Sequence, residues 1–239
     1  MTRILITRAE PDGSAFAKTC RARGLEPILA PVMRIAIRTA PVDLSGIGAL
    51  AFTSANGVRA FVANAAERAL PVFAVGPVTA AAAKEAGFEE IHVAGGDAGL
   101  LASHIVSESA LAEKAILHIA GEDRAGDLVA LLDSRGVRAR RQTLYQAVGE
   151  SALPAACAAA LSEDKGLVVS LFSPRTARLF LALAETAGLT ARLGDAHAAC
   201  LSAAVADEAA RADWAGIMIA GERTGESLLD VVCRGRERA

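Results

Sequence analysis

Leu50–Phe61 reads LAFTSANGVRAF, an apolar run that stops at Thr53-Ser54 and passes at once into a helical pattern with Arg59 in its first turns. A hydroxyl residue at such a junction is an N-cap, whose oxygen accepts from a backbone N–H that the helix cannot satisfy internally. With Ser54 as the cap, Asn56 and Gly57 fall in the first turn, and the Gly57 N–H faces either the Ser54 oxygen or a ligand. The free N–H groups of a helix start point beyond the sheet edge. Open α/β sheets bind ligands there, and aligned peptide dipoles favour an anionic group.

The design returns at Leu167–Leu181, LVVSLFSPRTARLFL, where placing Ser54 on Ser173 also places Arg59 on Arg178 and Phe61 on Phe180, an offset of 119. Ile4-Leu5 falls on Ile116-Leu117 and Arg23-Gly24 on Arg135-Gly136 at 112, while Ile91 falls on Ile217 and Ala94-Gly95 on Ala220-Gly221 at 126. Offsets that drift by seven and keep their order indicate one half, duplicated. A repeat this long is domain-sized and excludes solenoids, whose periods are roughly 20 to 50 residues.

The 239 residues are 53% hydrophobic with positive mean hydropathy, enough for one large core or two of ordinary size, and the duplication favours two. A net charge of −2, scattered aromatics and no polybasic tail give nucleic-acid binding little electrostatic support. The one basic cluster, Arg135, Arg138, Arg140 and Arg141, reads as a solvated turn and edge strand, with a specific anion site as the alternative. Cys20, Cys157, Cys200 and Cys233 stand far apart, with no CxxC and no histidine at ligand spacing, so neither a zinc site nor a disulfide framework is expected. There is no signal-peptide core and no apolar run near the roughly 18 residues that span a bilayer, so a cytoplasmic protein without a membrane partner is expected.

Along the chain, Arg3–Arg8 is a strand, followed by a loop and a helix over Ala15–Arg23 that Gly24 stops, and Pro27–Val32 completes a βαβ unit. Val32–Leu44, punctuated by Pro31 and Pro41, lacks a pattern and is a candidate crossing between domains. Strand Leu50–Thr53 leads into a helix over Asn56–Leu70. Strand Val72–Val75 then ends at Gly76-Pro77, where proline belongs in the first turn of a helix holding Thr79. Gly95-Gly96-Asp97-Ala98-Gly99 lacks the GxGxxG spacing and reads as a plain turn. Ile116–Ile119 opens the second half, Gly121–Asp127 forms its loop with Arg124 placed to hold an anion, and Thr143–Val148 closes the second βαβ copy. Helices at Pro154–Leu161, Thr176–Ala187, Ala203–Ala212 and Leu228–Cys233 alternate with strands at Leu167–Phe172, Ala198–Leu201 and Ile217–Ala220. Thr224 and Ser227 form an N-cap signal before the last helix.

No HExxH, GxSxG, GxxxxGK[ST] or paired-carboxylate motif occurs, and His92, His104, His118 and His197 are not visibly grouped. What accumulates is a set of strand-to-helix junctions: Thr7-Arg8, Thr53-Ser54 with Asn56 and Gly57, Gly76 to Thr79, Gly121 to Gly126 with Arg124, Ser173-Pro174-Arg175-Thr176, and Arg223-Thr224. Any α/β protein caps its helices this way. Two halves turning these junctions to one ligand would suit a molecule with carboxylates around its perimeter. Tyr145, the single tyrosine, is on composition alone an amphipathic core residue.

ILITR at the start, FTSANGVRAF, FAVGPVTAAAAKEAGF, HIAGEDR followed by LYQ, LFSPRTARLF and TGESLL, in this order and spacing, resemble the uroporphyrinogen-III synthase family over essentially the whole chain. The resemblance implies a cofactor-free cytoplasmic enzyme, taken as a monomer, whose partner is a small molecule. It takes linear hydroxymethylbilane to cyclic uroporphyrinogen III with loss of water and inversion of the last pyrrole ring. It implies two doubly wound parallel α/β domains with exchanged segments, 1–36 with 148–239 and 37–147, joined by a two-stranded hinge. By the same resemblance Tyr145 is the proton donor to the leaving hydroxyl, Thr79 is the threonine after the Gly-Pro turn, and Ser54 and Ser173 are cleft-facing serines. Leu201–Val205 departs from the Gly-Pro-x-Thr turn of many relatives. The alternative from another class is a non-catalytic two-domain binding protein for a polycarboxylate.

Overall fold

The computed structural model describes residues 2–108, 114–123 and 126–236. In chain order these form β1 (Arg3–Ile6), α1 (Asp12–Ala22), β2 (Glu26–Leu29), β3 (Met33–Ile37), β4 (Ile47–Phe52), α2 (Ala55–Val62), β5 (Val72–Ala74), α3 (Pro77–Glu85), β6 (Ile91–Val93) and α4 (Ala98–Ser107). There follow β7 (Ala115–Gly121), α5 (Leu128–Asp133), β8 (Ala139–Gly149), α6 (Ala155–Glu163), β9 (Val168–Leu171), α7 (Pro174–Thr186), β10 (His197–Cys200), α8 (Ala203–Ala209), β11 (Gly216–Ile219) and α9 (Gly225–Arg236). The chain divides into two compact units, residues 1–34 with 148–239, and residues 35–147, and passes between them inside β3 and β8.

The first unit holds a five-stranded sheet in the order β11-β10-β9-β1-β2, every pairing parallel. Thr7 and Ser170 tie β1 to β9 beyond the ladder: the Thr7 hydroxyl donates to the Ser170 carbonyl at 2.6 Å and the Ser170 hydroxyl to the Leu5 carbonyl at 2.7 Å. Both side chains are fully buried, and each is satisfied by the other strand's backbone, as a buried hydroxyl requires.

The second unit is built on a sheet in the order β3-β8-β7-β4-β5-β6. Apart from β3, its order β8-β7-β4-β5-β6 is that of β2-β1-β9-β10-β11 under the sequence correspondence. β4 is buried along its whole length, as expected for a parallel strand covered on both faces. On one face Phe52, Phe61 and Phe88 meet at ring-centroid distances of 6.0 to 6.1 Å. On the other, Phe73, Leu101, Ile105, Ile116, Leu128 and Leu132 pack under α4 and α5. Full burial of each such side chain contributes roughly 1.5–3 kcal/mol.

The structure corrects several expected boundaries. α2 ends at Val62 rather than Leu70. The Asn64 amide donates to the Ala60 carbonyl at 2.7 Å and the Arg68 guanidinium to the Ala65 carbonyl at 2.9 Å, acceptors that a continuing helix would use, and Arg68 also reaches the carbonyls of Glu67 and Ala86. The unpatterned Val32–Leu44 contains β3, whose partly exposed residues show no clean alternation. α9 starts at Gly225 and runs to Arg236, longer than the Leu228–Cys233 pattern. Arg124, expected to hold an anion, lies outside the described residues. No helix among the described residues is long and apolar enough to cross a membrane.

Candidate functional site

The carboxyl edge of the second unit's sheet opens on a cavity of about 380 Å³ that mixes polar and apolar groups. Its lining comes from five strands and the residues that follow them. Thr53 and Ser54 follow β4, Val75 follows β5, Gly96 to Ala98 follow β6, His118, Ala120 and Gly121 end β7, and Arg141 and Tyr145 stand on β8. Asp123, Gly126 and Leu128 complete it.

Ser54 is the N-cap of α2, its hydroxyl accepting from the Asn56 N–H at 3.1 Å. The Gly57 N–H donates to the Ser54 carbonyl at 3.0 Å and is therefore engaged within the protein. A Cβ at Gly57 would lie 2.9 Å from the Ile119 carbonyl oxygen and 3.4 Å from the Phe52 ring. Glycine thus lets α2 settle against the strand beneath it, and neither Gly57 nor Asn56 lines the cavity. The Asn56 oxygen accepts from the Arg59 guanidinium at 2.7 Å.

Tyr145 is half-buried on β8, where the register with β7 shifts so that Tyr145 stands opposite Gly121. A Cβ on Gly121 would meet the Tyr145 ring at 2.8 Å, so only glycine admits the ring at this position. Burial raises the phenol above its ordinary value, opposed by the Ser54 hydroxyl, the Gly121 backbone and the Arg141 guanidinium. The Arg141 guanidinium also donates to the Gly121 carbonyl. His118, 6% exposed, has its Nε2 3.1 Å from the Thr53 hydroxyl and its Nδ1 without a hydrogen-bond partner among the described residues. Burial first, and Arg141 second, bring the imidazole down to about 4, so it is neutral near pH 7.

Thr53, Ser54, Gly121 and Tyr145 are thus brought together. Gly76 caps α3 and Thr79 is buried within it, and neither lines this cavity. The remaining residues lie in the first unit. The Arg8 guanidinium reaches Asp12 at 3.3 Å and lies 5.2 Å from the centre of the Phe172 ring. Ser173 caps α7, its oxygen accepting from the Thr176 N–H at 3.1 Å, with the two hydroxyls 2.8 Å apart and Arg175 between them in sequence. The Thr224 hydroxyl accepts from the Ser227 N–H at 3.1 Å, which caps α9, and the Ser227 hydroxyl accepts from the Glu222 N–H at 3.0 Å in the turn before it. At the departing Leu201–Val205 junction Ser202 caps α8 without a side-chain hydrogen bond.

Sequence reasoning missed His118, Arg141, Asp97 and Asp123. Arg141 is the one member of the basic cluster in the cavity, whereas Arg140 reaches out to Asp43 and Ser45. The apparently plain Gly95–Gly99 turn supplies Gly96, Asp97 and Ala98, with the Asp97 carboxylate accepting from the Leu100 N–H at 2.9 Å as N-cap of α4. A further correction concerns the histidines. His92 and His104 lie with their ring centres 5.7 Å apart, joined through tertiary contact of β6 with α4 that no sequence spacing reveals.

Parallel α/β sheets with a cavity at one carboxyl edge, lined by a half-buried phenol, an imidazole, a guanidinium and a capped helix start, have the layout of a small-molecule-binding protein of the open α/β class. A sequence model described as uroporphyrinogen-III synthase HemD matches residues 14–230, and the chain belongs to that family. The overall fold is that of uroporphyrinogen-III synthetase from Helicobacter pylori, with a TM-score of 0.68 and 16% identity over 98% of this chain and 99% of that one. A mutant uroporphyrinogen III synthase from the extremely thermophilic bacterium Thermus thermophilus matches with a TM-score of 0.52 and 17% identity over 100% of both chains. No curated protein sequence matches the chain. The family is one of cyclising lyases acting on a small tetrapyrrole, which does not favour the non-catalytic reading.

Proposed function

We propose that the cavity beneath α2 is where hydroxymethylbilane closes to uroporphyrinogen III, with Tyr145 as the catalytic acid. The observation that carries this is the half-buried phenol between Ser54 and Gly121, the one tyrosine of the chain, at the edge where an α/β sheet binds its ligand. The pyrrole nitrogen's lone pair expels the hydroxymethyl oxygen, and the phenol gives that oxygen its proton so that it leaves as water. The closing ring later loses a proton, which restores the phenol. Burial keeps the phenol protonated at neutral pH, as a weak general acid requires. Positioning supplies the rest: attack must occur at the substituted position of the last ring, and well-oriented intramolecular reactions reach effective molarities of about 10⁵–10⁸ M.

Substrate carboxylates are held by helix starts and guanidinium groups. In the second unit these are the α2 start at Thr53 and Ser54 with Arg141 beside it, and Arg124, three residues after Gly121 in sequence, remains a binding position in this reading. Gly76 and Thr79 at the α3 start, and in the first unit Arg8, Ser173 with Arg175 and Thr176, and Thr224, remain binding positions in this reading. Asn56 and Gly57 act by shaping α2. No cofactor takes part, and the enzyme works as a cytoplasmic monomer.

Incubation of the purified protein with hydroxymethylbilane, followed by separation of the isomers, tests the reading. Rapid formation of the inverted type III product is expected. Only the uninverted isomer, at the rate of the uncatalysed closure, would refute it.

A further inference from the structure

At the far end of α4 a second polar cluster lies outside the chemistry described above. His104 is in the last turn of α4 and Glu108 is the residue that closes it, a spacing of four that sets both side chains on one face. β6 pairs with β5 so that His92 stands opposite Phe73, and the His92 ring stacks on that of Phe73 at 4.7 Å. The His104 ring stands edge-on to both, 5.8 Å from Phe73 and 5.7 Å from His92. Phe73 is buried, so the imidazoles rest on a fixed apolar floor. One ligand atom from each of His92, His104 and Glu108 lies within 4.8 Å of the other two. Glu90 Oε1 is 3.1 Å from His92 Nε2 and orients that ring.

We propose that His92, His104 and Glu108 form a divalent-metal site, suited to Zn²⁺, that fastens the edge strand β6 to the end of α4. Two imidazoles and one carboxylate are a donor set that zinc takes readily, with a fourth position left to water. Tetrahedral zinc places its donors about 3.4 Å apart, so rotation of partly exposed side chains by about 1 Å closes the triangle. The carboxyl end of a helix, the negative end of its dipole, favours a cation. A carboxylate on a ligating histidine, as Glu90 provides, fixes the ring and raises its basicity. α4 spans about 15 Å, and its opposite end lines the catalytic cavity, so the metal stabilises the second unit without entering the reaction.

Zinc binding by the full-length protein is measured by competition with a chromophoric chelator, and the ligand field by the visible spectrum of the Co²⁺ form. One equivalent is expected to bind wild type, and His92→Gln, His104→Gln and Glu108→Gln each to weaken it by at least about tenfold. Zinc in hundredfold excess over the wild-type Kd should raise the wild-type Tm by about 5 °C, and at the same zinc concentration a variant weakened tenfold should keep no more than about half of that shift. Glu108→Gln leaves the ring packing on Phe73 intact, so it tests ligation even if a histidine variant folds poorly. Absence of a saturable site, or equal affinity in wild type and Glu108→Gln, would overturn the proposal. Bilane turnover should be the same before and after exhaustive chelation, and a loss restored by Zn²⁺ would overturn the purely structural role.

Discussion

The start of α2 and the start of α7 carry one sequence design, yet it is the first that lines the cavity with Tyr145, His118 and Arg141 among the described residues. Ser54 and Ser173 both cap their helices. Beside Ser54, β7 and β8 bring His118 and Arg141 into register with Ala51 of β4. In the first unit the same register sets Ile6 of β1 and Leu29 of β2 beside Ser170 of β9. Thr53, whose hydroxyl meets His118, corresponds to Phe172, whose ring packs edge-on against Phe16 at 5.0 Å. Gly121, which admits the Tyr145 ring, corresponds to Ala9 at the offset of 112. The cap therefore sets the helix and the edge, whereas the polar side chains beside it come from neighbouring strands, where the two halves carry different residues.

Gly121→Ala should have the largest effect on that contrast, since its Cβ would sit 2.8 Å from the Tyr145 ring and drive the phenol aside. Misplacement by about 1 Å costs about a hundredfold in kcat, whereas Ala9→Gly should leave kcat near wild type. Steady-state kinetics on both variants checks this. Gly57→Ala should lower stability by about 1–3 kcal/mol through its clash with the Ile119 carbonyl, read as a fall in Tm. Thr176→Ala, at the matching position of α7, introduces no such clash and should lower Tm less.

His118 makes the second unit sensitive to acid. Its folded value of about 4 lies below the ordinary 6.5, so the fold favours the neutral ring. That stability is complete above about 6.5 and drains away as pH falls toward about 4, amounting to about 2 kcal/mol by pH 5. Thermal melts from pH 7.5 to 4.5 should show a shallower acid limb for His118→Gln than for wild type; parallel curves would show that His118 does not carry the effect. The smallest effects belong to the caps themselves. Ser54→Ala and Ser173→Ala should each cost about 1 kcal/mol. Ser54→Ala should in addition lower kcat, because Tyr145 loses its neighbour, while Ser173→Ala should act chiefly on KM.

The parallel α/β class was legible because β4 is a continuous apolar run and β9 one broken only by Ser170, both leading to hydroxyl caps, and capping is local chemistry. Ser54, Ser173 and Thr224 were readable as caps for the same reason, each closing on an N–H two or three residues ahead. The end of α2 was not, because what stops it is the Asn64 and Arg68 side chains, not a glycine or proline. His118 hides in the apolar strand AILHIAG, and Arg141 among charges that look solvated, since only strand register shows which face each takes. Gly57 illustrates the limit of motif reading: its position in the first turn suggested an N–H for a ligand, while its missing side chain serves the packing of α2.

The central claim, that one phenol in the second unit carries the proton transfer, is tested most directly by Tyr145→Phe assayed for kcat, KM and isomer ratio beside wild type. The variant keeps the ring and loses only the hydroxyl. kcat is expected to fall roughly ten- to a thousandfold, with KM and Tm little changed and the product still the type III isomer. A variant with wild-type kcat would contradict it and leave Tyr145 as a packing residue opposite Gly121.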